Sequence, residues 1–166
     1  MVALPSADVF ALTAALVDIE SESFNEKEIV ATLESELRAC AHLTVDRVGD
    51  NLIARTQLER QRRLVLGGHT DTVPVNQNLP ARIEGSRLFG CGSTDMKGGV
   101  AIMLELARTV PDPAVDVTYV FYAREEVAAR HNGLREIEAE RPELLDGDVA
   151  LLGEPTLGAL EAGCQG

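Results

Sequence analysis

Val115 to Tyr122 is a nearly continuous run of β-branched and aromatic residues, the pattern of a strand buried on both faces. Such a strand needs a layer above it and a layer below. The rest of the chain offers them, because further apolar runs at Arg63 to Leu66 and Val149 to Leu152 alternate with segments of helical period. The alternation predicts an α/β fold: a mainly parallel mixed sheet flanked by helices. At 166 residues the chain is long enough for one domain with its own core.

The spacing predicts a first helix capped by Ser6, with Val9, Leu12, Leu16 and Ile19 on its buried face. A second begins at an Asn25/Glu28 capping pair and carries Ile29, Leu33, Leu37 and Cys40 to about Ala41. Leu43 to Val48 and Asn51 to Thr56 read as strands joined at Gly49-Asp50, and Glu84-Gly85 separates two short extended pieces. A glycine-dense segment, Gly90 to Gly99, leads into a helix bearing Ala101, Leu104 and Ala107 that ends before Pro111 and Pro113. A last helix spans about Gly133 to Glu140.

Charge and composition exclude several functions. With 27 acidic against 15 basic side chains, a net charge of -12 repels nucleic acid and anionic membrane surfaces. No stretch reaches the roughly 18 apolar residues of a membrane span, and Met1-Val2-Ala3-Leu4-Pro5 lacks the layout of a signal peptide, so the expected location is the cytoplasm. Cys40, Cys91 and Cys164 are widely spaced, with no CxxC among them, and are expected as free thiols.

The chemistry gathers where apolar strands end. Leu64 to Gly68 runs into His69-Thr70-Asp71, Val115 to Tyr122 into Glu125-Glu126, and Val149 to Gly153 into Glu154-Pro155. Ligands bind at the C-terminal edge of parallel sheets, so one topology collects these groups, with Asp95 joining from the loop before a helix. Carboxylates converging without basic partners, apart from Lys97 and Arg124, would repel one another strongly. Metal cations would remove that repulsion. Imidazole and carboxylate donors without a thiolate favour zinc, with cobalt or manganese as substitutes, and so many acids suit two ions better than one. Alone, each residue has a plain structural role: His69 in a core hydrogen bond, Asp95 as a helix cap, Glu125-Glu126 as a solvated helix start.

Four ordered segments carry a resemblance: Gly68-His69-Thr70-Asp71-Thr72-Val73-Pro74, Gly90 to Gly99, Arg124-Glu125-Glu126 and Gly153-Glu154-Pro155-Thr156. They resemble the motifs of the zinc aminoacylase and carboxypeptidase family, which includes acetylornithine deacetylase and succinyl-diaminopimelate desuccinylase. Gly-Glu-Pro-Thr with Glu161 to Gly166 is most similar to the actinobacterial type of the latter. The resemblance implies a zinc exopeptidase-like catalytic domain with two zinc ions. His69 and Glu154 would hold one, Glu126 the other, and Asp95 both. Asp71 would orient His69, and Glu125 would be the general base. The implied reaction removes succinate from N-succinyl-LL-2,6-diaminopimelate, or acts on another small N-acyl amino acid as acetylornithine deacetylase does.

Family members are about twice as long, with a lid domain that also forms the homodimer and a final histidine ligand. The expectation is therefore that residues 1–166 are the N-terminal part of a catalytic domain, binding at least one metal but little active and prone to self-association. His42 and His131 match no motif. Two rival functions stand beside this one: a non-catalytic metal-binding module, and a cysteine hydrolase pairing Cys91 with His69.

Overall fold

The polypeptide hydrogen-bonds into a five-stranded sheet whose order is β1-β2-β6-β3-β7. Its strands are β1 (Thr44–Val48), β2 (Asn51–Arg55), β3 (Arg63–His69), β6 (Asp116–Tyr122) and β7 (Val149–Leu152), while β4 (Arg82–Glu84) and β5 (Arg87–Phe89) form a separate hairpin. These come from a computed structural model that describes residues 4–163; Cys164 lies outside the described residues. β3 runs parallel to β6 on one side and β7 on the other, whereas β2 pairs antiparallel with both β6 and β1. Four strands thus share one direction, as a mainly parallel mixed sheet requires.

Every residue of β6 is buried, and its side chains alternate between two cores. Val117, Tyr119 and Phe121 face α1 (Val9–Val17), α2 (Lys27–Arg38) and α3 (Lys97–Thr109), where Leu12, Leu16, Leu33 and Leu104 are fully excluded from solvent. Val120 and Tyr122 face the opposite way, onto Ile137 of α4 (Gly133–Glu140) and Leu144. Full burial of each of these large side chains contributes about 1.5–3 kcal/mol, which is why a strand with no polar face occupies the sheet centre. β7 differs: all four of its residues are exposed, and among the described residues its outer edge pairs with no strand.

Helix starts depart from the expected caps. Asp8, not Ser6, caps α1, accepting the Ala11 N–H at 3.0 Å, and Ile19 lies beyond the helix though still in the core. The Asn25/Glu28 pair does not form, because the Asn25 N–H is committed to a turn with the Glu22 carbonyl at 2.7 Å. α2 begins at Lys27 behind the buried Glu26, and Cys40 falls past its end. Cys40 and Cys91 are free thiols, and no helix among the described residues is long and apolar enough to cross a membrane.

Candidate metal centre

Parallel register sets His69 opposite Tyr122, so β3 and β6 end side by side. The ladder continues one residue further through the Thr70 N–H to the Tyr122 carbonyl at 2.8 Å, which delivers Asp71 beside the turn that follows β6. Arg124 makes that turn at φ +63, and the next two backbone N–H groups point back at Asp71. Its fully buried carboxylate accepts from Glu125 N at 2.9 Å, Glu126 N at 3.2 Å and the Ser23 hydroxyl at 2.6 Å. Burial works against that charge, but these donors and the neighbouring imidazole hold the Asp71 carboxyl below its ordinary range.

His69 is 1% exposed, and both ring nitrogens are engaged. Nδ1 faces the Asp71 backbone carbonyl at 3.0 Å and its carboxylate at 3.5 Å. An Nδ1–H donated there leaves Nε2 as the outward nitrogen, the tautomer a metal needs. Nε2 lies 2.9 Å from Asp95 Oδ1 and 3.8 Å from Glu154 Oε2. Burial disfavours an imidazolium, yet the carboxylates of Asp71, Asp95 and Glu154 outweigh it and raise the His69 pKa to about 9.

Asp95 is placed by the glycine-dense segment. Gly92 takes φ +77, where a Cβ would also meet Thr72 at 2.6 Å, and the Lys97 N–H closes the turn onto the Gly92 carbonyl at 2.9 Å. Met96 is fully buried, with its sulfur 3.2 Å from the His69 N–H, and this anchors the residue next to Asp95. Glu154 arrives from β7, where the Gly153 N–H bonds the Gly67 carbonyl at 2.9 Å. Ligand atoms of His69, Asp95 and Glu126 all lie within 4.8 Å of one another. Burial raises the Glu126 and Glu154 carboxyls, and Asp95 and Glu125 add repulsion to both.

The two cations nearest in sequence do not relieve that repulsion. Lys97 turns into the core and donates to the Ile19 carbonyl at 2.6 Å, its ammonium pushed down to about 8 by burial. Arg124 pairs with Glu136. Among the described residues, no lysine or arginine forms an ion pair with Asp95, Glu125, Glu126 or Glu154. A cleft of about 340 Å³ opens beside the cluster, lined by Val73, Asn78, Cys91, Thr94, Asp95 and Glu126. The Cys91 thiol donates to the Val73 carbonyl at 3.5 Å, so the Cys91–His69 dyad of a cysteine hydrolase is not formed. His42 contacts the Ala107 carbonyl, and His131 packs edge-on against Phe24; neither joins the cluster.

Sequence reasoning missed Ser23 and Met96. Ser23 lies 48 residues from the carboxylate it serves, and no periodicity announces a hydroxyl reaching across that separation.

The profile of peptidase family M20/M25/M40 matches residues 65–164, the segment that holds His69, Asp71, Asp95, Glu125, Glu126 and Glu154. The chain belongs to this family. It is 51% identical over 160 residues to a Mycobacterium tuberculosis protein provisionally named succinyl-diaminopimelate desuccinylase DapE, spanning 96% of this chain and 45% of that protein. A Corynebacterium glutamicum succinyl-diaminopimelate desuccinylase is 45% identical over 164 residues, spanning 96% and 44%. The chain therefore spans under half the length of these M20/M25/M40 relatives. Among solved structures, an M20 family metallo-carboxypeptidase from Sulfolobus solfataricus superposes with a TM-score of 0.73 at 17% identity, covering 88% of this chain and 37% of that one. A Staphylococcus aureus tripeptidase gives 0.70 at 24%, covering 90% and 43%. At these identities the likeness shows the fold.

One packing contact tests how tightly the candidate site of this M20/M25/M40 chain is held. A Cβ on Gly99 would sit 2.7 Å from the Gly153 carbonyl oxygen and 2.8 Å from Met96 Cε, so α3 and the strand bearing Glu154 approach only because residue 99 is glycine. Gly99→Ala is expected to lower stability by about 1–3 kcal/mol and to weaken metal uptake by displacing Glu154. Urea unfolding and metal titration of the variant check both effects, and an unchanged pair of values would show that the contact carries no strain.

Proposed function

We propose that this chain is the metal-binding part of the catalytic domain of a two-zinc amide hydrolase that cleaves N-succinyl-LL-2,6-diaminopimelate into succinate and LL-diaminopimelate. The observation that carries the reading is the convergence of His69, Asp95 and Glu126 within 4.8 Å, with Glu154 close behind and, among the described residues, no arginine or lysine in an ion pair with these acids. Imidazole and carboxylate donors suit zinc, and cobalt or manganese as replacements. His69 and Glu154 would hold one ion and Glu126 the other, with Asp95 serving both.

Zinc bound there would supply Lewis acidity, polarising the scissile carbonyl and making water more acidic. The chain's own residues do the rest. Asp71 fixes the His69 ring and, through the Glu125 and Glu126 N–H groups, the turn that carries both glutamates. Glu125 accepts the proton of the attacking water as its oxygen bonds to the amide carbon, then passes that proton to the nitrogen as the C–N bond breaks. The substrate assignment leans on the names of the actinobacterial relatives. Substrate contacts and a dimer interface contributed by a lid belong to a longer protein in this reading, and a cytoplasmic setting agrees with the free thiols of Cys40 and Cys91.

Zinc stoichiometry after dialysis against metal-free buffer, and again after excess zinc, tests the assignment. One or two zinc ions per chain is the expected result, with loss of the ion on chelation. A chain that retains none under saturating zinc would overturn the reading.

A further inference from the structure

A second pocket, of about 320 Å³, lies on the turn that follows β6 and is lined by Arg124, Arg130, His131, Asn132, Arg135 and Glu136. Its charge runs opposite to that of the chain, with three arginines against one glutamate in a protein of net charge -12. Glu136 is already committed, accepting from Arg124 and, at 2.9 Å, from Asn51 Nδ2. Elsewhere the arginines pair with acids: among the described residues, nine of thirteen have a carboxylate partner, the exceptions being Arg62, Arg87, Arg130 and Arg135. Two of those four line this pocket. The Asn132 side-chain oxygen is also spent, accepting the Leu134 N–H at 2.9 Å, which leaves the amide NH₂ as the donor this side chain can still offer.

Uncompensated guanidinium groups and an amide donor around one concavity suit an anion that is planar and accepts two hydrogen bonds. The pocket is also tied to the metal cluster at two points. Arg124 immediately precedes Glu125, and His131 packs at 5.4 Å against Phe24, the residue after the Ser23 that holds Asp71.

We propose that this pocket is a carboxylate-binding subsite beside the metal centre. Carboxylate could come from a substrate whose amide lies at the metals, an arm that rests on the function proposed above, or from a free anion, an arm that does not.

The test is titration of the metal-free chain with succinate at low ionic strength, followed by amide NMR, alongside inorganic phosphate and an Arg130→Ala/Arg135→Ala variant. Succinate is expected to shift Arg130, Asn132 and Arg135, to bind more weakly as salt is added, and to lose about tenfold or more of its affinity in the variant. Both arginines are exposed and form no ion pair among the described residues, so the variant should keep the parent circular dichroism and its zinc uptake. Succinate that shifts none of these residues, or binds the variant as well as the parent, overturns the proposal.

N-succinyl-diaminopimelate added to the zinc-loaded chain separates the two sources. Shifts at both the pocket and the Asp95/Glu126 cluster, with affinity above that of succinate, identify the carboxylate as the substrate's; shifts confined to the pocket identify a separate anion site. A chain that binds succinate but no zinc would sink the proposed function and leave the subsite standing.

Discussion

Replacing Glu125 by Gln in a full-length protein carrying this sequence is expected to lower kcat about 10²–10⁴-fold, the contribution of a positioned general base, while zinc content stays at the parent value. Geometry motivates the separation of the two effects. Glu126 joins His69 and Asp95 in the cluster, whereas Glu125 stands outside that trio yet close enough for its charge to raise both Glu126 and Glu154. The two neighbours share one anchor, since Asp71 accepts both of their N–H groups, so a change confined to the Glu125 carboxylate should not move its companion. Gln keeps the shape and cannot take a proton. KM should change little, because the missing proton transfer is felt in the transition state and not in substrate binding. A variant that loses zinc along with activity would make Glu125 a ligand, and one that retains most of its kcat would favour the non-catalytic metal module.

The same residues show how much could be read in advance. β6, β7 and α4 lie within one residue of their expected limits because each is marked by its own composition: nearly continuous β-branched, aromatic or aliphatic runs for the strands, and Gly133 with helical spacing for α4. Strand ends predicted the convergence of His69, Glu126 and Glu154 because a parallel register leaves little freedom in where neighbouring strands finish. What composition does not encode is the partner of each polar group. Asp71 was expected to orient His69; the sequence does not say that the nearer acceptor is its backbone carbonyl, nor that the carboxylate mainly gathers N–H groups from a turn more than fifty residues away. Lys97 could have neutralised the acids; the fold instead sends it to Ile19. Caps failed for a similar reason, since Asn25 was a good capping residue already committed to another turn.

Metal-free and zinc-loaded forms are expected to respond differently to pH. In the metal-free fold His69 has a pKa of about 9, so at neutral pH it carries a proton that zinc must displace. Apparent zinc affinity should therefore rise about tenfold per pH unit up to that value, roughly a hundredfold between pH 7 and 9, when zinc is buffered by a chelator. Stability of the metal-free chain moves the other way. A histidine whose folded pKa exceeds its unfolded value stabilises the fold fully below about pH 6.5 and loses that contribution as pH climbs toward 9. The buried Lys97 opposes this from about pH 8 upward, because its ammonium is lost earlier in the fold than in the unfolded chain. The sum is a decline of about 1 kcal/mol between pH 6.5 and 8, then a level stretch to about pH 9. With zinc in place His69 carries no proton, so the decline should vanish while the Lys97 gain above pH 8 remains. Urea unfolding at these pH values, with and without zinc, reads both curves. Metal-free stability that rises from pH 6.5 to 8 would mean that His69 is neutral in the fold, and that the acids around it do not form the field that makes this place a metal site.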